Sequence, residues 1–310
     1  MTKRPAVTVL GSLNMDISVT VPRLPAPGAT VLGSSARFTP GGKGANQAVA
    51  AARLGAEVRM VGCVGADDFG RQLVRALEAE TVDTSGVRQA AGVPTGLAMI
   101  TVDGSGENII TVAPGANHET GQEEVTAAAR QPHDILVISA EIPLDTIKTA
   151  LAQPGECILN LAPAPAEAAT LVSTYGRHLG WLVVNESEAE AVLGHPVSGL
   201  SDAARAATEL LAAGPRNTVV TAGAHGAALA GPDGTSIIEG FTVEAVDTVG
   251  AGDTFVGALA TAVAAGLPAQ HAIRAAAAAA AAAVTKAGAQ TAMPGPADIL
   301  AATGEAWPVG

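Results

Sequence analysis

The chain alternates two kinds of segment. Short, nearly continuous apolar runs at 58–64, 135–139, 157–161, 181–184 and 218–221 are separated by longer stretches rich in Ala, Glu and Leu. Apolar runs of strand length that do not alternate with polar residues suit strands buried on both faces, with helices between them as cover. The pattern predicts an α/β fold: a mostly parallel central sheet covered by helices on both faces. Two regions depart from it. Residues 17–21 and 30–33 alternate apolar and polar, as do 96–102 and 108–112, the second pair split by Asp103-Gly104-Ser105-Gly106. Alternation of period two around a Gly-rich turn predicts antiparallel strands and a hairpin.

Within this frame the glycines carry the chemistry. Val249-Gly250-Ala251-Gly252-Asp253-Thr254-Phe255 directly precedes a long Ala-rich helical run. Gly250 and Gly252 let the backbone turn tightly and come close to a ligand, because no Cβ intervenes. The helix start that follows leaves N–H groups without partners, which suits an anion, above all a phosphate. Asp253 is the odd member, since a carboxylate where a phosphate would sit needs another task. The task that fits is accepting or orienting the proton of a substrate hydroxyl while backbone amides hold a transferring phosphoryl group. A carboxylate here is also expected to have a lowered pKa, and a plain capped helix start reads the same way.

A second glycine segment, Pro40-Gly41-Gly42-Lys43-Gly44-Ala45-Asn46-Gln47, feeds a helix expected to end at Gly55. It lacks the spacing of a Walker-type loop, and no GxGxxG follows the first strand, which excludes those two nucleotide-binding patterns. The first strand, 7–12, is followed by Leu13-Asn14-Met15-Asp16, with Asn14 and Asp16 at strand spacing on one face. Such a pair suits hydrogen bonding to neighbouring sugar hydroxyls, and equally an Asx turn closing the strand. Asn185 and Glu188 lie one turn apart at a helix start, able to point together at a ligand or simply to cap the helix.

Composition sets limits. The 310 residues support a full core, and no internal boundary is visible, so a single domain over 1–310 is expected. With 48% hydrophobic but only 2% aromatic residues, that core must be built from Ala, Val, Leu and Ile. A net charge of −12 argues against a nucleic-acid surface, and means that a nucleotide must be held by local amides, lysine and metal. Cys63 and Cys157 are lone residues without metal-ligand spacing, and read as reduced core thiols. No apolar run has bilayer length, and Met1-Thr2-Lys3-Arg4 is not followed by a signal-peptide core, so no membrane partner and a cytoplasmic location are expected.

Three segments together resemble the signatures of the ribokinase-like (PfkB) carbohydrate kinase family. They are Gly11-Ser12-Leu13-Asn14-Met15-Asp16, Gly41-Gly42-Lys43-Gly44-Ala45-Asn46-Gln47-Ala48 and Asp247-Thr248-Val249-Gly250-Ala251-Gly252-Asp253-Thr254-Phe255. Glu141-Ile142-Pro143, Leu159-Asn160-Leu161-Ala162-Pro163-Ala164, Asn185-Glu186-Ser187-Glu188 and Thr221-Ala222-Gly223-Ala224-His225-Gly226 follow in family order, so the resemblance spans nearly the whole chain. The Gly250–Asp253 motif is common to the family. The segment from Gly41 is narrower and is similar to the ribose-phosphorylating branch.

The resemblance implies ATP-dependent phosphorylation of D-ribose at its 5-hydroxyl, giving D-ribose 5-phosphate and ADP. It makes Asp253 the catalytic base and Gly250, Ala251 and Gly252 the anion hole. Asn14, Asp16, Gly42, Lys43, Asn46 and Glu141 match sugar-contacting positions, and Asn185, Glu188, Thr221, Gly223, Gly226 and Gly252 match the ATP side. Mg2+ would arrive with ATP, organised through water by Asn185 and Glu188. K+ as a monovalent activator would sit at Asp247, Val249, Ala283, Lys286, Gly288 and Ala292, where Ala292 departs from relatives that carry Ser. Ala277, in the alanine run 275–283, departs from relatives with a polar ring near the adenine. The alternating segments become a small β-sheet lid, from about 12–40 and 95–115, through which the resemblance implies a homodimer. A kinase of 2-deoxyribose or of another pentose or nucleoside stays open. So does a non-catalytic sugar sensor, although a sensor has no need of Asp253.

Overall fold

The computed structural model describes residues 4–130 and 132–309, so the first three residues of the Met1-Thr2-Lys3-Arg4 start lie outside the described residues. Its main sheet runs, edge to edge, Gly234–Glu239, Gly226–Gly231, Asn217–Thr221, Trp181–Asn185, Cys157–Asn160, Ile135–Ser139, Ala6–Leu10, Glu57–Gly65 and Asp83–Ala90. From Asn217–Thr221 to Asp83–Ala90 every pairing is parallel, and only the two outermost strands beyond Asn217–Thr221 are antiparallel. The uninterrupted apolar runs are therefore the central parallel strands, as their pattern predicts. Val9, Leu10, Val137, Ile138, Ile158 and Leu159 are wholly buried.

Helices cover both faces. Lys43–Arg53, Ala251–Ala264 and Ala269–Ala283 pack in one core with Val9, Val137 and Ile158, while Leu144–Leu151, Ala168–Tyr175 and Gly199–Leu211 pack in another with Leu10, Ile138 and Leu159. The residues of each strand alternate between the two cores, as the pleat requires. Alanine does the packing on the first face: Ala48, Ala50, Ala258, Ala260, Ala276 and Ala279 are wholly buried. Small side chains let these helices lie close together, which is how a core with so few aromatics closes.

A separate four-stranded sheet follows the order Arg37–Gly41, Asn14–Thr20, Gly96–Val102, Asn108–Ala113. The expected hairpin around residues 103–106 is present, with Val102 opposite Asn108. The strand expected at 30–33 is not there; Arg37–Gly41 pairs with Asn14–Thr20 instead. Four alternating residues had no free edge to join, whereas Arg37–Gly41 is drawn alongside Asn14–Thr20 by the helix that begins two residues later.

The position of the first strand decides where function can lie. Ala6–Leu10 sits inside the sheet, and the chain moves from it first towards Asp83–Ala90 and later the other way, beginning at Ile135–Ser139. Ligands of open α/β sheets collect at such a switch point, outside the carboxyl ends of the strands. Ser12, Glu141, Asn160, Asn185 and Thr221 all lie at or just past those ends.

Candidate active site

The helix expected to follow Gln47 begins earlier, at Lys43, so Lys43, Asn46 and Gln47 occupy its first turns. Gly42 is its N-cap at φ 91°, a left-handed conformation, and a Cβ there would lie 2.6 Å from the backbone N of Asn14. The glycine is thus demanded by the approach of the small sheet to the helix start. The second helix, Ala251–Ala264, begins after Gly250, which is also left-handed at φ 77°. Its first amide, on Ala251, is turned back to the Thr248 carbonyl at 3.3 Å, and the Thr254 N–H bonds Gly250 O. The N–H groups of Gly252 and Asp253 have no main-chain partner among the described residues. Nothing lies within 4 Å of where a Cβ on Gly252 would stand, so the backbone is open there.

The two helix starts meet at Asp253. Asn46 Nδ2 donates to Asp253 Oδ2 at 2.9 Å, and Gln47 Nε2 donates to Asp253 Oδ1 at 3.1 Å. The lowered pKa expected of a carboxylate at a helix start is overturned: burial raises it, outweighing the pull of Lys43 and the two amides, and Glu141 adds to the rise. Desolvation of a side chain only 8% exposed outweighs the field of a helix end.

Around this carboxylate the structure gathers most of the residues expected on the sugar side. Ser12 Oγ donates to Glu141 Oε2 at 2.6 Å, and the Lys43 backbone N–H donates to the same oxygen at 3.3 Å. The Asp16 carboxyl is pushed up to about 7, first by burial and then by Glu141 and Asp253, with Lys43 pulling it down. Burial also acts against the Lys43 ammonium, but the carboxylates of Asp253, Glu141, Glu188 and Asp16 prevail and raise its pKa. Four acids around one lysine make a site rich in acceptors, matched to hydroxyl donors. Asn14 and Asp16 do not close the first strand as an Asx turn; they stand on one face at the start of Asn14–Thr20. Asn14 is held from behind, because Asn117 Nδ2 donates to its Oδ1 at 2.7 Å. The buried Asn46 Oδ1 has no hydrogen-bond partner among the described residues.

Asn185 and Thr221 end adjacent parallel strands and are register partners. Asn185 and Glu188 cap their helix reciprocally: Asn185 Oδ1 accepts from the Glu188 N–H at 2.9 Å, and Glu188 Oε2 accepts from the Asn185 N–H at 2.9 Å. The capping reading is the one this geometry shows, and the cap holds Glu188 as a buried acid whose pKa burial raises. Gly223 opens a turn with free space around it, while a Cβ on Gly226 would lie 2.1 Å from the Ile238 carbonyl, so sheet pairing demands that glycine.

Of the candidate cation residues, the structure joins Asp247, Val249 and Gly288. Asp247 Oδ1 accepts from the Val249 N–H at 3.0 Å and its Oδ2 from the Gly288 N–H at 2.8 Å. The Lys286 ammonium turns to Asp298 at 2.7 Å, and the Ala283 carbonyl accepts the Lys286 N–H at 3.2 Å. Ala292 is buried in a short turn of 3₁₀ helix. Among the described residues no three His, Cys, Asp or Glu side chains cluster to hold a metal on their own.

Sequence reasoning missed Ser12, Gln47, Asn117 and Asn160 as site residues. Ser12 and Asn160 close apolar strand runs, and Gln47 follows Asn46 and directly precedes a run of alanine and valine, 48–52. A buried polar residue in an apolar run must find a partner, and that signal was available. Asn117 lies in an irregular segment with no such pattern.

Comparison with known proteins agrees with this geometry. Residues 4–296 match the pfkB family carbohydrate kinase family. The chain is 38% identical over 297 residues to the ribokinase of Haemophilus influenzae, covering 94% of this chain and 96% of that one. It is 34% identical to the deoxyribokinase of Salmonella typhi, over 93% of this chain and 95% of that one. Among solved structures, the ribokinase of Thermotoga maritima superposes with a TM-score of 0.85 at 34% identity, covering 96% and 98% of the two chains. That of Arabidopsis thaliana, complexed with ribose and ATP, gives 0.83 at 29% identity with the same coverage.

Proposed function

The chain belongs to the pfkB family of carbohydrate kinases, and from that premise we propose that it transfers the γ-phosphoryl group of ATP to the 5-hydroxyl of D-ribose, giving D-ribose 5-phosphate and ADP. The observation that carries the reading is the buried Asp253 carboxylate, gripped by Asn46 and Gln47 where two helix starts meet. Ribokinases at 35–39% identity, and the ribokinase structure complexed with ribose and ATP, support the substrates.

Asn14, Asp16, Asn46 and Glu141 offer acceptors for the sugar hydroxyls, the unpartnered Asn46 Oδ1 among them. Asp253 then takes the proton of the attacking hydroxyl. Its raised pKa makes it a stronger base than an ordinary carboxylate, although phosphoryl transfer has a loose transition state and asks more of position than of basicity. Charge developing on the transferred group meets the N–H groups of Gly252 and Asp253, which are fixed before the reaction, while the Ala251 N–H is spent on the Thr248 carbonyl and shapes the turn instead of facing the anion. Lys43 offsets the accumulated negative charge. On the ATP side, Asn185, Glu188, Thr221, Gly223 and Gly226 lie at the neighbouring strand ends.

Magnesium would arrive with the nucleotide and neutralise phosphate charge, with the buried Glu188 carboxylate and Asn185 as the residues to orient its waters. Potassium would be held at the loops that Asp247 ties together, with the Asp247 carboxylate and main-chain carbonyls as hard oxygen donors, and it would supply positive charge beside the anion hole. The apolar side chains exposed on the small sheet, Phe38, Met99, Ile109, Ile110 and Val112, support a homodimer formed through that lid. The two cysteines, free and buried, accord with a reducing, cytoplasmic setting. No helix among the described residues is long and apolar enough to cross a membrane.

A kinase of 2-deoxyribose is the reading to weigh beside ribose, since a deoxyribokinase matches nearly the whole chain. The Asp253→Asn variant tests the mechanism common to both. Turnover is expected to fall about 10²- to 10⁴-fold while ribose and ATP still bind; full activity would remove Asp253 from the reaction.

A further inference from the structure

We propose that Gln47, itself held by Asn160, is a positioning residue that fixes the plane of the Asp253 carboxylate and so aims its proton-accepting oxygen at the sugar hydroxyl. The inference rests on Asp253 being the base. Gln47 is wholly buried, so it acts through Asp253.

Its amide nitrogen has two hydrogens, and both are used. One goes to Asp253 Oδ1 at 3.1 Å and the other to Asn160 Oδ1 at 3.0 Å. Asn160 ends the strand Cys157–Asn160, and its own amide donates to the carbonyl of Val183 in the neighbouring strand at 3.4 Å. Asp253 is thereby tied through two side chains to the centre of the parallel sheet. Asn46 holds the other oxygen, Oδ2. One donor would leave the carboxylate free to swing about its last torsion, whereas one donor on each oxygen fixes its plane.

The orientation of the Gln47 amide has a cost that shows its purpose. Its oxygen, Oε1, is buried with no hydrogen-bond partner among the described residues. Turning the amide over would set that oxygen against the carboxylate and against Asn160 Oδ1, losing both bonds. The arrangement leaves an acceptor unsatisfied in order to present two donors, a cost that fixing the carboxylate offsets.

The same contact bears on the charge of Asp253. Burial above all disfavours the anion, and Glu141 adds to this, while Lys43, Asn46 and Gln47 favour it. Removing the Gln47 donor should therefore raise the pH at which Asp253 becomes a competent base.

The test compares Gln47→Met, which keeps length and removes the donor, with Asn160→Leu, the double variant and Asp253→Asn, all in the full chain with ribose and ATP-magnesium. For Gln47→Met, kcat is expected to fall on the order of 10- to 100-fold. KM for ribose and for ATP should hardly change, and the acid limb of the pH–rate profile should move to higher pH. Asn160→Leu should give a smaller loss of the same kind, and the double variant should be no worse than Gln47→Met alone, because one residue acts through the other. If Gln47→Met does not fold, Asn160→Leu carries the same readouts. Unchanged kcat and an unmoved acid limb in a folded variant would overturn the proposal, as would a rise in ribose KM that accounts for the whole loss. An inactive Asp253→Asn beside an unaffected Gln47→Met would reject only the role of Gln47. A fully active Asp253→Asn would reject the base and this inference with it.

Discussion

Asp16 carries its charge against its surroundings. Burial and the neighbouring Glu141 and Asp253 raise its carboxyl from 3.8 to about 7, with Lys43 the one group pulling the other way. Between those values the folded chain holds a proton that the unfolded chain has released, so this residue's contribution to stability is greatest at low pH and declines as pH rises through about 7. Replacing it should remove that decline. Asp16→Asn is expected to raise the melting temperature over wild type more at pH 8 than at pH 5, and an equal difference at both would mean that Asp16 titrates normally. Function asks for the opposite state, because the anion offers both oxygens as acceptors and binds hydroxyl donors more strongly than the neutral acid. Ribose KM should rise as pH falls below about 7 in wild type, a dependence that Asp16→Asn should lose at a KM raised on the order of 10- to 100-fold. At this scale the sequence was informative about residue type and silent about environment. Asn14, Asp16, Lys43, Asn46, Glu141 and Asp253 could be singled out, but the direction of the Asp253 pKa could not. A helix end is visible in sequence, whereas the degree of burial that outweighs it is a property of the assembled fold.

The elements around the site tolerate change to very different degrees. Gly41 pairs with Asn14 across the small sheet, and a Cβ on it would come within 2.2 Å of the Asp16 carboxylate, a side chain able to move. Gly44 lies in the helix start, where a Cβ would meet the backbone of Gly11 and Ser12 at 2.7 Å. Gly41→Ala should therefore displace Asp16 and raise ribose KM with little change in melting temperature. Gly44→Ala should cost about 1–3 kcal/mol of stability, read by denaturant unfolding, because two backbones must separate. Equal effects of the two on stability would contradict this division. The central strands were legible because continuous apolar runs leave few alternatives. Residues 30–33 misled because four alternating positions predict a strand only where a partner edge is free, and Arg37–Gly41 already holds that edge. The helix start at Lys43 was hidden by its own glycines, which read as a loop until the packing against Ser12 is seen.

At the scale of the molecule, the carboxyl ends of the parallel strands and two helix N-termini converge on one place, and the small sheet brings Asn14 and Asp16 to it. That sheet also leaves Ile110 and Val112 about half exposed, on the face shared with Asp16, and Met99 and Ile109 on the other. These exposed apolar side chains are the basis of the dimer proposed above. Wild type should have twice the chain mass by light scattering after gel filtration, and Ile110→Glu should have the mass of one chain; a wild-type monomer would reject dimerisation. In the sequence the dimer was only an implication of the family resemblance, because alternation marks half-exposed strands without saying what covers them.

The central claim is the identity of the acceptor and the position of transfer. The most direct measurement incubates the enzyme with ATP, magnesium and potassium against ribose, 2-deoxyribose, fructose and adenosine in parallel, and locates the phosphate in the product by NMR. The account requires ribose to be preferred, with the phosphate on the 5-hydroxyl. Preference for another acceptor would contradict the assignment of Asn14, Asp16 and Glu141 to ribose, and no turnover with any of the four would contradict the kinase itself.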